Sequence, residues 1–306
     1  MTIDSTRRTF LKGAASLFGA SAVLYPFDLR AEEPQADVWA FASDMHIADW
    51  TNKPPEHNVR FQETVAAMFD VPVKPHRLFL LGDNVAHGEQ GQYKRLLEIL
   101  KPVVESGISI HAVMGDHDNR EHFRAIRKQL LSPNKNEAGN THIVRSEPFA
   151  DGEDKHAEIL ETKRANFFLL DSLVEPRQEW GTFGKEQLDW LAAELDQRKD
   201  KPAIVMAHHP AVDVGNAGLT DSIPFWKLMG AHRQVKAYFF GHTHVWLNYR
   251  IGRVHQVNFP STFRCPPLTV LGWVLMTLHD DGAVLMLKTC DPKNSQNGQK
   301  VELKWG

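Results

Sequence analysis

Short apolar runs alternate with amphipathic segments along the first two thirds of the chain. Residues 38–42, 77–81, 109–114, 203–207 and 236–240 are apolar runs of strand length, which predicts buried strands. Between them, residues 93–104 and 187–195 carry apolar side chains at helical spacing. Strands that alternate with helices predict a layered α/β fold with the helices on the outside.

The pattern changes after Trp246, where residues 246–250, 254–258, 271–278 and 283–288 resemble consecutive strands. Gly, Pro and Asp separate them, and Asp280-Asp281-Gly282 predicts a hairpin turn. We expect this half to form an antiparallel meander joined to the same sandwich. Residues 291–306 are polar and are predicted to form a loosely ordered tail. The folded domain is therefore expected to span residues 32–290.

The first 31 residues have the composition of an export signal. Arg7-Arg8 is followed by Phe10-Leu11-Lys12 and a weakly apolar, Gly- and Ala-rich stretch, which resembles a twin-arginine signal. The alternative is an amphipathic helix of the mature fold, but small residues favour a signal. Cleavage after Ala22, cleavage after Ala31 and retention as an uncleaved membrane anchor stay open. The expectation is recognition by the twin-arginine machinery and a location in the periplasm or cell envelope.

Composition excludes few functions. The chain has 306 residues, 42% of them hydrophobic, and a formal net charge of −3. A nucleic-acid polymer is not an expected partner, because its phosphates are held by clustered Lys and Arg. Two cysteines, Cys265 and Cys290, are too few for a disulfide framework, and whether they pair stays open.

Polar motifs follow the five apolar runs directly. In chain order they are Asp44-x-His46, Gly82-Asp83-Asn84, Gly115-Asp116-His117-Asp118, His208-His209-Pro210 and Gly241-His242-x-His244. Each motif is common by itself. Ligand sites of α/β sheets collect at the carboxyl ends of strands, and Asp and His together bind Zn, Mn or Fe. Five such endings in order predict one metal centre.

These motifs, in this order, resemble the signature of the calcineurin-like metallophosphoesterase superfamily over residues 37–288. Residues 170–172, 187–191 and 260–262 look like those of its class III cyclic-nucleotide phosphodiesterase branch. The resemblance implies an α/β (α+β) fold: a single-domain, four-layer αββα sandwich, with two mixed sheets flanked by helices.

The resemblance also implies two metal ions, divalent or of mixed valence, with Mn, Fe and Zn all open. The first would be held by Asp44, His46, Asp83 and His244, and the second by Asp83, Asp116, His208 and His242. A hydroxide bridging the ions would attack phosphorus.

Several neighbouring residues receive roles by the same resemblance. His117 is expected to act as general acid or to stabilise the transition state, or else only to pack against the metal site. Asp118 is expected to orient it. Arg120 and His87 are candidate substrate contacts.

One position departs from the family, because Asp116 stands where most members have Asn. A carboxylate binds a cation more tightly but has no N–H to donate to a phosphate oxygen. We therefore expect altered rate, metal choice or substrate preference rather than lost activity.

The expected function is hydrolysis of a small phosphodiester, a cyclic nucleotide among the candidates, or of a phosphomonoester. The alternative is a non-catalytic exported metal-binding protein. A protein phosphatase is disfavoured, because the additional arginines of those family members are not found. Oligomeric state stays open.

Overall fold

The computed structural model describes residues 37–131, 141–144, 155–212, 217–264 and 270–306. The strands of this part are β1 Asp37–Ala42, β2 Arg77–Leu81, β3 Ser109–Val113, β4 Thr141–Val144, β5 Glu158–Glu161, β6 Asn166–Leu169, β7 Ala203–Met206, β8 Val235–Phe240, β9 Leu247–Ile251, β10 Val254–Asn258, β11 Gly272–Leu278, β12 Gly282–Thr289 and β13 Lys300–Lys304. The helices are α1 Glu56–Ala67, α2 Gln90–Glu105, α3 Arg120–Leu130, α4 Lys185–Gln197 and α5 Ser222–Ala231. The predicted signal segment and Cys265 lie outside the described residues.

The strands form two mixed sheets. One has six strands in the order β13-β12-β11-β1-β2-β3, and the other has seven in the order β4-β5-β6-β7-β8-β10-β9. In the first sheet β1, β2 and β3 are parallel, while β11 runs antiparallel to β1. In the second, β6, β7, β8 and β10 are parallel. The parallel strands direct their carboxyl ends to the same edge of each sheet.

The alternation of side chains between the two faces of each strand determines which layer each side chain packs against. In β1, Trp39 and Phe41 belong to an apolar cluster shared by both sheets, whereas Ala40 and Ala42 face the cluster of α1, α2 and α3. Alternate residues of the second sheet, such as Phe168, pack with α4 and α5. Successive side chains of a strand point to opposite faces, so the central strands of each sheet are buried on both sides. The result is the four-layer αββα arrangement that the family resemblance implied.

The second half of the chain differs from the expected meander. The predicted strands are present, but β9 and β10 join the seven-stranded sheet while β11 and β12 join the six-stranded sheet. The predicted hairpin turn does connect antiparallel strands, with Leu278 opposite Ala283. Local periodicity predicts a strand but does not specify which sheet it joins.

The prediction of a loosely ordered tail is wrong for its second half. Residues 300–304 form β13, which pairs with β12 at the sheet edge. Val301, Leu303 and Trp305 are buried, while Lys300, Glu302 and Lys304 are exposed. This period-two alternation is a strand signal, and the charged outer face protects the edge from further pairing.

Among the described residues, no helix is long and apolar enough to cross a membrane.

Candidate metal centre

Seven side chains that follow five strands meet at one place. They form two groups of four ligand atoms, each with all atoms within 4.8 Å of one another. The first group is Asp44, His46, Asp83 and His244, and the second is Asp83, Asp116, His208 and His242. The seven predicted ligands therefore do converge, and they divide into two sets as the resemblance implied.

Asp83 belongs to both groups and uses a different oxygen for each. Its Oδ2 lies 3.4 Å from His46 Nε2, and its Oδ1 lies 3.4 Å from His208 Nε2. A carboxylate with one oxygen directed into each of two adjacent donor sets is suited to bridge two cations.

Within each group the donor atoms face one another. His46 Nε2 lies 3.4 Å from His244 Nε2, which lies 3.2 Å from Asp44 Oδ1. In the second group, His242 Nδ1 lies 3.0 Å from Asp116 Oδ1 and 3.3 Å from His208 Nε2. Imidazole nitrogens and carboxylate oxygens that converge in this way need a cation or protons between them. The donor set fits two divalent ions.

Backbone strain is concentrated at these residues. Among the described non-glycine residues, six have positive φ: Asp44, His46, Asp83, Arg177, His242 and His244. Five of them are predicted ligands. Left-handed backbone costs a non-glycine residue free energy and persists where the surroundings impose it, most often at functional sites.

Two glycines allow the strand-end loops to approach closely. A Cβ on Gly115 would lie 2.2 Å from Asp83 Oδ1, and a Cβ on Gly241 would lie 2.0 Å from Ser43 Oγ. Neither position tolerates a side chain without displacing Asp83 or the β1 loop.

Hydrogen bonds to the backbone orient the donors. His208 Nδ1 lies 2.8 Å from the carbonyl of Leu81, which directs Nε2 toward Asp83. The backbone N–H of His242 donates to Asp44, and that of His117 donates to Asp83 Oδ1 at 3.0 Å. A partner on the second ring nitrogen sets the tautomer and orientation of a ligating histidine.

The electrostatics follow from burial and opposite charge. Burial raises the pKa of Asp116, but the bonds from His208 and His242 outweigh it and bring the pKa well below its usual value. Burial lowers the pKa of His208, but Asp83 and Asp116 outweigh it and bring the pKa well above its usual value. For His46, burial dominates and lowers the pKa to about 4. The carboxylates therefore stay ionised and attract cations.

His117 borders both donor groups, with its ring 4.6 Å from that of His46. Its Nδ1 donates to the carbonyl of Ala86 at 2.6 Å, and its Nε2 lies 3.7 Å from Asp116 Oδ2. About a third of the side chain is exposed, at 34%. Burial lowers the His117 pKa, but Asp83 and the bond to Ala86 outweigh it, so the pKa is raised overall.

The prediction that Asp118 orients His117 is wrong. Asp118 is fully buried, and its oxygens accept hydrogen bonds from Asn84, Gly115 and Tyr93. These bonds connect the loops after β2 and β3, while a backbone carbonyl orients His117. Burial raises the pKa of Asp118 to about 6, with a smaller contribution from Asp83. No sequence motif could reveal the Ala86 carbonyl.

The two residues predicted to contact substrate, Arg120 and His87, lie outside the two donor groups. Arg120 donates to both oxygens of Asp171 and to the carbonyl of Val174, so it stabilises the loop after β6 rather than reaching for substrate. His87 is exposed. His209 accompanies the second group: its Nδ1 lies 2.7 Å from Ser172 Oγ, and its Nε2 lies 3.9 Å from Asp116 Oδ1.

An aromatic residue that sequence reasoning did not single out also lies here. Phe263 follows the noted residues 260–262, and its ring centroid is 4.7 Å from that of His46. Its only sequence signal is its position one residue beyond a motif.

Comparison with known proteins identifies the family. The model of the calcineurin-like phosphoesterase family matches residues 39–246. The chain belongs to the calcineurin-like phosphoesterase family.

Two relatives are named as phosphodiesterases. The 3′,5′-cyclic adenosine monophosphate phosphodiesterase CpdA of Pseudomonas aeruginosa is 26% identical over 223 residues, 66% of this chain and 80% of that protein. A probable glycerophosphodiester phosphodiesterase, GpdQ of Arcobacter nitrofigilis, is 24% identical over 177 residues, 56% of this chain and 57% of that protein. The fold is shared with a dimetal phosphatase from Danio rerio, with a TM-score of 0.66 and 14% identity over 88% of this chain and 99% of that one.

The family and its phosphodiesterase members establish the class of this protein as a metal-dependent hydrolase of phosphoric ester bonds. They do not favour the non-catalytic alternative. The two donor groups indicate two divalent metal ions.

Proposed function

We propose that the chain is a dinuclear phosphodiesterase for a small substrate. The observation that carries the proposal is the orientation of the Asp83 carboxylate, which directs one oxygen into each of two four-donor groups. The two phosphodiesterase relatives favour a diester over a monoester.

One ion would be held by Asp44, His46, Asp83 and His244. The other would be held by Asp83, Asp116, His208 and His242. When bound, two such ions lower the pKa of water to supply the nucleophile and neutralise charge on the phosphate oxygens. Carboxylates and imidazoles are compatible with Mn, Fe and Zn, so the donor set leaves the metal to experiment.

His117 Nε2 would donate a proton to the leaving oxygen. The bond from Nδ1 to Ala86 holds the ring in place, and about a third of the side chain, 34%, is exposed. A raised pKa keeps more of the imidazole protonated near neutral pH, as a general acid requires. Asp118 would act only by holding the two loops that carry Asp83 and His117.

Export by the twin-arginine route to the periplasm or cell envelope is also part of the proposal, supported by Arg7-Arg8 and the residues that follow. Replacing both arginines with lysine is expected to retain the protein in the cytoplasm, as fractionation would measure. Unchanged export would remove this part of the proposal.

The test of the reaction begins with metal-stripped protein titrated with Mn²⁺, Fe²⁺ or Zn²⁺. Hydrolysis of bis-p-nitrophenyl phosphate should return with metal and exceed that of p-nitrophenyl phosphate. His244→Ala should abolish it. His279→Ala, exposed in the turn between β11 and β12 beside the start of β1 and therefore at the opposite end of that strand from the donor groups, is the matched control and should leave it unchanged. Two bound ions without turnover would contradict the proposal.

A further inference from the structure

We propose that Phe263 and His57 form a wall that binds an aromatic ring on the organic group of the substrate, a nucleobase or a phenyl ring. The inference rests on the proposed function and specifies the substrate class of the same site. It starts from the position of Phe263 beside the first donor group.

The Phe263 ring is packed against the metal centre. Its centroid lies 4.7 Å from that of His46 and 6.2 Å from that of His244. The His57 ring lies 5.1 Å from Phe263, nearly perpendicular at 72°. Two predicted ligands and one further imidazole therefore surround a single aromatic side chain.

Phe263 is only partly buried, although most phenylalanines in the described part of the chain pack in the apolar clusters. Leaving aromatic area exposed forgoes part of its burial free energy. A flat apolar face at the opening of a polar site recovers this free energy when an aromatic ring covers it. Aromatic rings attract one another in offset or edge-to-face arrangements.

The wall is held in place by the loop that carries it. The backbone N–H of Phe263 donates to the carbonyl of Asp44 at 3.2 Å, and Ser261 Oγ donates to the same carbonyl at 2.8 Å. Arg60 on α1 donates to the carbonyl of Thr262 at 3.0 Å. Phe263 therefore keeps its position relative to Asp44, and α1, which carries His57, is joined to the same loop. Such preorganisation reduces the entropy lost on binding.

The wall and the proposed general acid share one neighbouring ring. The His46 ring contacts both the His117 ring, at 4.6 Å between centroids, and the Phe263 ring. We therefore expect the organic group on an ester oxygen that His117 protonates to extend past His46 toward Phe263. The His57 ring, nearly perpendicular to that of Phe263, adds a second aromatic surface on the helix that is joined to the same loop.

The test compares matched, non-hydrolysable ligands on metal-loaded protein by calorimetry. Phe263→Leu should weaken binding of phenylphosphonate about 3- to 10-fold and leave methylphosphonate within about twofold. Phe263→Tyr should keep the preference. Phe69→Leu, past the far end of α1, is the control and should change neither affinity.

The 5′-methylenephosphonate analogues of adenosine 5′-phosphate and of ribose 5-phosphate, in which carbon replaces the ester oxygen, form the second pair of ligands. A loss in Phe263→Leu confined to the adenosine ligand identifies a nucleobase, and a loss confined to phenylphosphonate identifies a phenyl ring. Equal losses for ligands with and without a ring, or no loss, would overturn the proposal.

Hydrolysis of bis-p-nitrophenyl phosphate by the same samples separates the two proposals. If the wild-type protein does not turn over, the proposed function fails while the binding preference is still decided. If it turns over but shows no ring preference, only the wall is wrong.

Discussion

The two donor groups contain the same chemistry in different surroundings. Each has two carboxylates and two imidazoles, with Asp83 in common. In the first group all four residues have left-handed backbone, whereas in the second Asp116 and His208 do not. His208 is fully buried, while the side chains of His242 in the second group and His244 in the first are 12% and 11% exposed.

This difference indicates that the two donor groups are held in position in different ways. The first group depends on strained turns at all four residues and borders the partly exposed Phe263. The second is held through the buried His208 and its bond to Leu81. Asp116 makes the two groups equal in carboxylates, whereas Asn at this position would leave the second group with one fewer.

The largest effect is expected from the residue that both groups share. Asp83→Asn removes a charge common to both, so metal content should fall below one ion per chain. Loss of several kcal/mol of transition-state stabilisation lowers kcat/KM by on the order of 10³-fold or more. Metal analysis and kinetics measure both values, and circular dichroism controls for folding. Two retained ions would show that the groups do not depend on the shared carboxylate.

A smaller but still large effect is expected at His117. His117→Gln keeps a side chain of similar length but removes the acid, so kcat should fall by about 10²-fold or more for a substrate with an alkyl leaving group. Bis-p-nitrophenyl phosphate, whose leaving group needs little protonation, should lose much less. An equal loss on both substrates would contradict an acid role and favour simple packing.

The same Asp→Asn substitution in each donor group measures the contribution of that group to metal affinity. Asp116→Asn should weaken one ion by roughly 10-fold and change kcat by less, because ligation by an amide oxygen remains. Asp44→Asn, the matched change in the first group, should weaken the other ion. Calorimetric metal titration resolves the two affinities. A large gain in activity from Asp116→Asn would instead mean that this carboxylate impairs catalysis.

The smallest effect on activity is expected outside both groups, at Asp171. Burial raises the pKa of Asp171, but Arg120 and Lys155 outweigh it and leave the pKa lowered. Its stabilising contribution is therefore present at neutral pH and is lost as the pH falls below about 4, through the lowered pKa. Asp171→Asn should cost roughly 2–3 kcal/mol of stability at pH 7.

Urea unfolding at pH 7 and at pH 3 measures this contribution. The difference between Asp171→Asn and the wild-type protein should shrink at the lower pH, while metal-dependent activity stays within about twofold. Asp189→Asn, an exposed member of a helical ion pair, is the control and should change stability little. A pH-independent difference would mean that Asp171 contributes through packing alone.

Much of the fold and of the site was predictable from local pattern. The five apolar runs correspond to β1, β2, β3, β7 and β8 within one residue at each end, and the motifs after them converge. The local pattern did not predict strands β4, β5 and β6 or helices α1, α3 and α5. The alternation of Val301 and Leu303 was readable as a strand, but the surrounding polar residues concealed it.

The sequence by itself determined the chemistry: seven Asp and His residues, each placed directly after a buried strand, and glycines where the loops must touch. These features are local, because residue type and period-two spacing depend only on near neighbours along the chain. The tertiary structure alone decided which sheet receives each late strand, that Ala86 rather than Asp118 orients His117, and that Phe263 lies against His46. Those contacts join residues distant in sequence, so packing and backbone geometry decide them.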